Sequence, residues 1–295
     1  MMSEIKHILC PVDLSQESEI TLKTAFTIAS SFHAKLSVCF CGAGSSNGAD
    51  GEVRRKIDEM IINISGFLEN GETEKPKIEC GSCEAENDTV VRSILAEVGS
   101  RAADLIVLSA HYQQWKHALP RAIAENVCRA ASCPVMIVHP EGSDGEMPLI
   151  RKILVAQDFS DDSELALQYA AAFARKNNAE LHLLHVITEP FDREKAAIWS
   201  AFSGESLYHN SYERLHKSLP AENGNSFKVS ISVLWGKPYR EILSYVREHQ
   251  TDLIVMGAHG ADFGQASLFG SNADRVLRQA KCSVLIARPL KPTVF

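Results

Sequence analysis

Asp252-Leu-Ile-Val-Met-Gly-Ala-His259 is a second copy of Asp104-Leu-Ile-Val-Leu-Ser-Ala-His111. Two more pairs flank it. His7-Ile-Leu-Cys-Pro-Val-Asp13-Leu-Ser15 returns as Lys152-Ile-Leu-Val-Ala-Gln-Asp158-Phe-Ser160, and Cys133-Pro-Val-Met-Ile-Val-His-Pro140 returns as Cys282-Ser-Val-Leu-Ile-Ala-Arg-Pro289. In chain order the offsets are 145, 148 and 149 residues. A solenoid repeats every ~20–50 residues, so this is a whole domain written twice. The length of 295 residues agrees with two domains. The expected boundaries are 1–142 and 149–295. The polar, Gly- and Pro-containing stretch Glu141–Pro148 is the natural linker.

Each copy alternates short β-branched runs with helical periodicity. In the second copy, strands are expected at Lys152–Ala156, Leu181–Ile187, Phe227–Leu234, Leu253–Met256 and Val284–Ala287. Helical spacing marks Asp161–Lys176, where Leu165, Tyr169, Ala172 and Phe173 recur on one face. It also marks Phe191–Leu219, Tyr239–His249 and Ala273–Ala280. Strands separated by helices imply right-handed βαβ units. The expected fold class is therefore α/β: two tandem open α/β sandwiches, each with a mostly parallel five-stranded sheet. Ligands of such sheets bind at the carboxyl ends of the strands, where the strand order reverses.

Composition narrows the class further. Hydrophobic residues are 45%, charged residues 23%, and the formal net charge is −7. An acidic chain argues against a nucleic-acid partner, which needs a basic face. No stretch approaches a membrane span, and the N-terminus shows no secretory pattern, so the expected compartment is the cytoplasm. Several of the eight cysteines, Cys10, Cys39 and Cys41 among them, sit in strand-like apolar runs and read as buried thiols. Cys80-x-x-Cys83 has metal or redox spacing, without the second pair that a zinc ribbon requires.

The chemistry concentrates after the fourth strand of the second copy, in Gly257-Ala-His-Gly260 and then Gly270-Ser271-Asn272 at a helix start. Gly257 can admit a ligand close to the backbone, and Gly260 can take positive φ. Gly270-Ser271 precedes a helix whose free N–H groups and dipole attract phosphate. A glycine-containing loop with a plain serine cap is the alternative. His259 could act as a base or hydrogen-bond locally. Arg275 and Arg278 are near enough in sequence to reach phosphate, or to form a solvated face.

Gly257-x2-Gly260-x9-Gly270-Ser271 resembles the nucleotide-binding motif of the universal stress protein family, and both halves share that family's opening and closing strands. The resemblance implies a tandem universal stress protein that binds ATP, or ADP or AMP, with Mg2+ as the metal the phosphates would bring; no metal ligands are assigned. It implies that Asp158 stands at the adenosine end and that Val186 has its backbone at the adenine. Gly257 and Gly260 fall in the ribose and phosphate loop, and Gly270, Ser271 and Asn272 at the phosphate-binding helix start. Ala156 stands where relatives often have Pro. It also implies that the closing strands, Val135–Val138 and Val284–Ala287, meet in an internal pseudo-dimer; a homodimer of whole chains is compatible.

The first copy departs from the motif. Ser109 and Tyr112 replace the first two glycines, and Arg121-Ala122 replaces Gly270-Ser271. A degenerate first domain is expected. Gly44-Ser-Ser-Asn-Gly48 spells a nucleophile elbow without its strand-to-helix setting. Asn63-Ile-Ser65 and Asn87-Asp-Thr89 spell glycosylation acceptors, which carry no meaning in a cytoplasmic chain. The function expected is a nucleotide-dependent regulator in the stress response, with no catalytic residue assigned. A slow ATPase, for which His259, Asp262, Arg275 and Arg278 would be candidates, and a nucleotide-independent scaffold are the rivals.

Overall fold

The computed structural model describes residues 4–42, 50–67, 75–84, 90–111, 120–139, 148–188, 193–219, 227–260 and 269–289. The Gly44–Gly48 elbow, Asn87–Thr89, Tyr112, linker residues 141–147 and Asp262 lie outside the described residues, as do the side chains of Cys83 and Arg121. By contact the chain divides into two compact units: Met1–Leu149 with Lys281–Phe295, and Ile150–Ala280. Among the described residues, no helix is long and apolar enough to cross a membrane.

The first unit runs β1 (His7–Val12), α1 (Gln16–Phe32), β2 (Lys35–Gly42), α2 (Asp50–Phe67), β3 (Ile78–Glu84), α3 (Val90–Arg101), β4 (Leu105–Ser109), α4 (Pro120–Ala130) and β5 (Val135–Val138). Its strands lie in the order β3-β2-β1-β4-β5, all parallel. The second unit runs β6 (Lys152–Ala156), α5 (Asp161–Asn177), β7 (Glu180–Ile187), α6 (Arg193–Ser218), β8 (Val229–Trp235), α7 (Pro238–His249), β9 (Leu253–Gly257) and α8 (Ser271–Gln279). Its strand order is β9-β6-β7-β8, again parallel. The central strands are buried because helices cover both faces of a parallel sheet, and the edge strands β3 and β8 are partly exposed. Ile153, Leu154, Val155, Leu253, Ile254 and Val255 are fully buried.

The last strand, β10 (Ser283–Ala287), pairs antiparallel with β5 in the first unit. Val284 lies opposite Ile137, Leu285 opposite Met136 and Ile286 opposite Val135. The closing strands of the two copies thus meet as the resemblance implies, and the edge that β5 would otherwise present is covered.

The duplication extends to backbone strain. The non-glycine residues at positive φ among the described residues form repeat pairs: Leu14 (62°) with Phe159 (63°), His33 (54°) with Asn178 (51°), and Ala102 (49°) with Gln250 (52°). His33 and Asn178 are the left-handed C-caps of α1 and α5. Each such residue costs of order 1 kcal/mol, so both copies keep these turns against an intrinsic preference. A second shared device explains the Asp that opens each Asp-Leu-Ile-Val run. Asp104 Oδ2 accepts the N–H groups of Lys6 (2.9 Å) and His7 (3.0 Å); Asp252 Oδ2 accepts those of Arg151 and Lys152 (both 2.8 Å). Each carboxylate fixes the start of the neighbouring first strand and with it the register.

Candidate functional site

In the second unit the chain runs one way from β6 to β7 and β8 and the other way to β9, so the order reverses between β6 and β9. A cleft of about 420 Å³ opens there, within the size range of small-molecule sites. Asp158, Val186, Gly257, Gly260, Gly270, Ser271 and Asn272 all line it. These residues come from β7, from the turn after β6, from the end of β9 and its loop, and from the start of α8.

Asp158 is placed by the turn between β6 and α5. Phe159 takes positive φ, and Ser160 caps α5 by accepting the Ser163 N–H at 3.2 Å. Asp158 Oδ1 accepts from Ser160 N (3.1 Å) and Ser160 Oγ (2.6 Å). The carboxylate is therefore fixed by one oxygen, while Oδ2 faces the Gly260 backbone. A Cβ on Gly260 would lie 2.8 Å from that oxygen. Gly260 is needed for this approach and not for its φ: among the described residues, Gly236 (144°) is the glycine at positive φ.

Gly257 also has a cause other than ligand access. A Cβ there would lie 2.7 Å from Asp162 Cβ and 2.9 Å from Asp162 C. The first turn of α5 packs directly on β9. This close approach lets Asp162 Oδ2 accept the His259 N–H at 3.0 Å and lie 2.8 Å from His259 Nδ1. The contact to the carboxylate fixes the ring with Nδ1 as its donor. His259 lines the cleft.

Gly270 links the two parts of the motif. Its N–H donates to Ala258 O at 2.8 Å, and a Cβ on it would lie 3.2 Å from that same oxygen. Gly270 caps α8 without a side-chain bond. Asp274 N is the first in the helix to find a carbonyl, Gly270 O at 2.9 Å. The preceding N–H groups belong to Ser271, Asn272 and Ala273, which line the cleft. They supply the partial positive charge of a helix start.

Two lining residues escape a reading of the sequence. Gln157 is 3% exposed. Its Oε1 accepts from Ser163 Oγ at 2.7 Å and its Nε2 donates to Ser163 O at 3.0 Å. His185 Nδ1 lies 2.7 Å from Gln157 O, and its ring packs on Phe159 with centroids 4.5 Å apart. The Arg214 guanidinium covers the same phenyl ring at 3.8 Å. Burial lowers the His185 pKa, which keeps the ring neutral. The signal for Gln157 was its replacement of Val12 in an otherwise similar strand.

The first unit keeps the turn but closes it. Asp13 Oδ1 accepts from Ser15 N (3.0 Å), Ser15 Oγ (2.6 Å) and Ser18 Oγ, and Asp13 is fully buried. Ser109, at the place of Gly257, is buried and accepts the His111 N–H at 3.1 Å. Among the described residues, no cluster of His, Cys, Asp and Glu could hold a metal ion. Cys80 Sγ is 3.8 Å from Asp58 Oδ1, and burial raises its thiol pKa, which disfavours the thiolate that redox or metal chemistry needs.

The universal stress protein family matches residues 4–139 and 149–288. The chain belongs to this family, as a tandem member. The duplicated strands are thus two copies of one domain type. Universal stress protein MJ0577 of Methanocaldococcus jannaschii is 30% identical over 156 residues, spanning 48% of this chain and 96% of that one. Universal stress protein Rv2623 of Mycobacterium tuberculosis is 26% identical over 196 residues, spanning 66% of this chain and 64% of that one. The solved universal stress protein of Archaeoglobus fulgidus superposes with a TM-score of 0.61 at 20% identity, covering 97% of both chains. That likeness is one of fold.

Proposed function

We propose that this universal stress protein binds ATP or a related adenine nucleotide in the cleft of its second repeat and acts as a nucleotide-dependent regulator. The observation that carries the reading is the convergence of Asp158, Val186, Gly257, Gly260, Gly270, Ser271 and Asn272 on one cleft at the strand-order reversal. Asp158 would hold the ribose end, and the backbone of Val186 would face the base. The loop from Gly257 to Gly260 and the N–H groups of α8 would hold the phosphates. Mg2+ would arrive with the phosphates. The first repeat, with Asp13 buried and Ser109 turned inward, would bind no nucleotide. It would instead join the second repeat, domain 149–295 to domain 1–142, through the β5–β10 pair.

Mass spectrometry of ligand released from freshly purified protein, followed by calorimetric titration with ATP, tests this reading. One site per chain is expected. Two equal sites would remove the proposed asymmetry, and no binding of any adenine nucleotide would remove the reading. A second reading, slow ATP hydrolysis, is favoured by the Asp162–His259 contact, which orients an imidazole beside the phosphate loop. ADP release above the uncatalysed rate, lost in His259→Gln, would support it.

A further inference from the structure

Just outside the lining residues of the cleft, two helix starts bring cations together. Pro238, Ile242, Ser271 and Asn272 line the cleft, and Lys237, Tyr239, Arg240 and Arg275 are their neighbours in sequence. The Arg275 guanidinium lies over the Tyr239 ring at 4.9 Å from its centroid. Arg240 Nε donates to the Tyr239 hydroxyl at 3.0 Å. One phenol on α7 therefore holds a cation from its own helix and one from α8.

The first turns of the two helices also hold carboxylates, Glu241 in α7 and Asp274 in α8. Among the described residues, no carboxylate pairs with Lys237, Arg240 or Arg275. The next arginine of α8 behaves otherwise: Arg278 contacts Asp274 at 3.0 Å and 3.4 Å. Lys237 is the N-cap of α7 and makes no side-chain cap bond. Lys237 and Arg240 stand at the start of α7, where cations oppose the helix dipole, and Arg275 is one turn into α8. Arg275 lies four residues after Ser271, on the same helix face. Helical side chains lean toward the N-terminus, which carries Arg275 toward the end of α8 that lines the cleft. The field of all three cations is felt at Tyr239, whose phenol pKa is pulled below its ordinary value, first by the Arg240 hydrogen bond and then by the charges of Arg240, Arg275 and Lys237.

We infer that Lys237, Arg240 and Arg275 form a basic rim that reads the terminal phosphates of the bound nucleotide, so that the site prefers nucleoside triphosphate to monophosphate. The inference rests on the reading of the cleft as an adenine nucleotide site. The glycine loop and α8 start hold the phosphate nearest the ribose, and the rim selects for phosphates beyond it.

The test is calorimetric titration of the full chain with AMP, ADP and ATP. ATP is expected to bind at least about tenfold more tightly than AMP, the size of one charge-assisted hydrogen bond. This preference should shrink as salt rises, because exposed charges are screened. Arg275→Gln and Arg240→Gln should each reduce the ATP-to-AMP preference about three- to tenfold, and the double variant should nearly abolish it. Arg278→Gln, on the same helix but paired with Asp274, should keep the wild-type preference. Equal affinity for AMP and ATP in the wild type would overturn the inference, as would a preference that survives the double variant. In either case nucleotide binding itself would still stand. Absence of binding by all three nucleotides would instead remove the underlying site and the rim with it.

Discussion

Replacing Gly257 by Ala should damage the fold first and binding second. The added methyl would lie 2.7 Å from Asp162 Cβ, 2.9 Å from Asp162 C and 3.1 Å from Asp162 O. Carbon atoms pack best at about 3.5–4.0 Å, so the first turn of α5 must retreat by roughly 1 Å. It cannot do so alone. Leu167, Tyr169, Ala170, Phe173 and Ala174 bury the same helix in the core, and each is fitted against its neighbours. Overpacking of this kind costs about 1–3 kcal/mol. The stiffer unfolded chain returns about 0.4–1 kcal/mol, because Gly257 is not at positive φ. A net loss of about 1–2 kcal/mol remains. Urea unfolding should show a lower midpoint at unchanged slope. Gly260→Ala is the contrasting variant. Its methyl meets the far end of a side chain, Asp158 Oδ2 at 2.8 Å, which can swing aside within about 0.5 kcal/mol. It should unfold like the wild type while binding ATP more weakly. If Gly257→Ala is as stable as Gly260→Ala, the close packing of α5 on β9 is not the reason for a glycine there.

Gly270→Val should weaken ATP binding about tenfold or more by crowding the start of α8, as read by calorimetry on a variant shown by circular dichroism to be folded; unchanged affinity would take this loop out of the site. Stability should fall as pH drops from about 7.5 to about 5.5, because burial holds the pKa values of His7, His182 and His185 below 6.5. The unfolded chain then takes up protons that the folded chain refuses, so stabilisation present above the unfolded value is lost as pH falls through it. Glu164, raised by burial, acts in the opposite direction on the acid side, and so the informative comparison is with His182→Gln, which should flatten the thermal-midpoint profile; an unaltered profile would refute the assignment. Ile286→Asp, which puts a carboxylate opposite Val135 in a buried strand pair, should cost several kcal/mol and speed amide exchange at residues 135–138; slow exchange there in the variant would contradict the β5–β10 pairing.

Periodicity made the scaffold legible because a buried parallel strand needs an apolar run and little else. Lys152–Ala156 and Val135–Val138 are recovered with their ends, and the others shift by a residue or two at their termini. The repeat located the motif, and the motif located the cleft. What stayed hidden depends on atoms that are remote in sequence. Asp162 and His259 are 97 residues apart, and an acidic residue in a first turn reads as dipole complement wherever it occurs. Gln157 reads as a polar residue ending a strand until Ser163 is brought under it by the turn. The glycines were found for incomplete reasons: Gly257 answers to α5 and Gly260 to Asp158, and neither contact is visible without the packing.

The two repeats show how a site can close while its fold stays intact. Both keep the positive-φ residue after the aspartate and the serine cap after that, at the same intrinsic cost. The difference begins one residue earlier, where Val12 faces Gln157 across the duplication. Valine offers no acceptor, so the Ser18 hydroxyl turns to Asp13, and the carboxylate is enclosed by its own helix start. Gln157 takes the Ser163 hydroxyl for itself. Asp158 then remains half-buried and lines the cleft. The buried polar groups are hydrogen-bonded in either arrangement, as burial demands, so neither copy is driven toward the other by an orphaned donor or acceptor. Both aspartates bond the serine cap that follows them, and the strand-end residue decides whether the carboxylate also takes the second serine hydroxyl and is enclosed, as Asp13 is, or lines the cleft, as Asp158 does; stability alone does not select between the two.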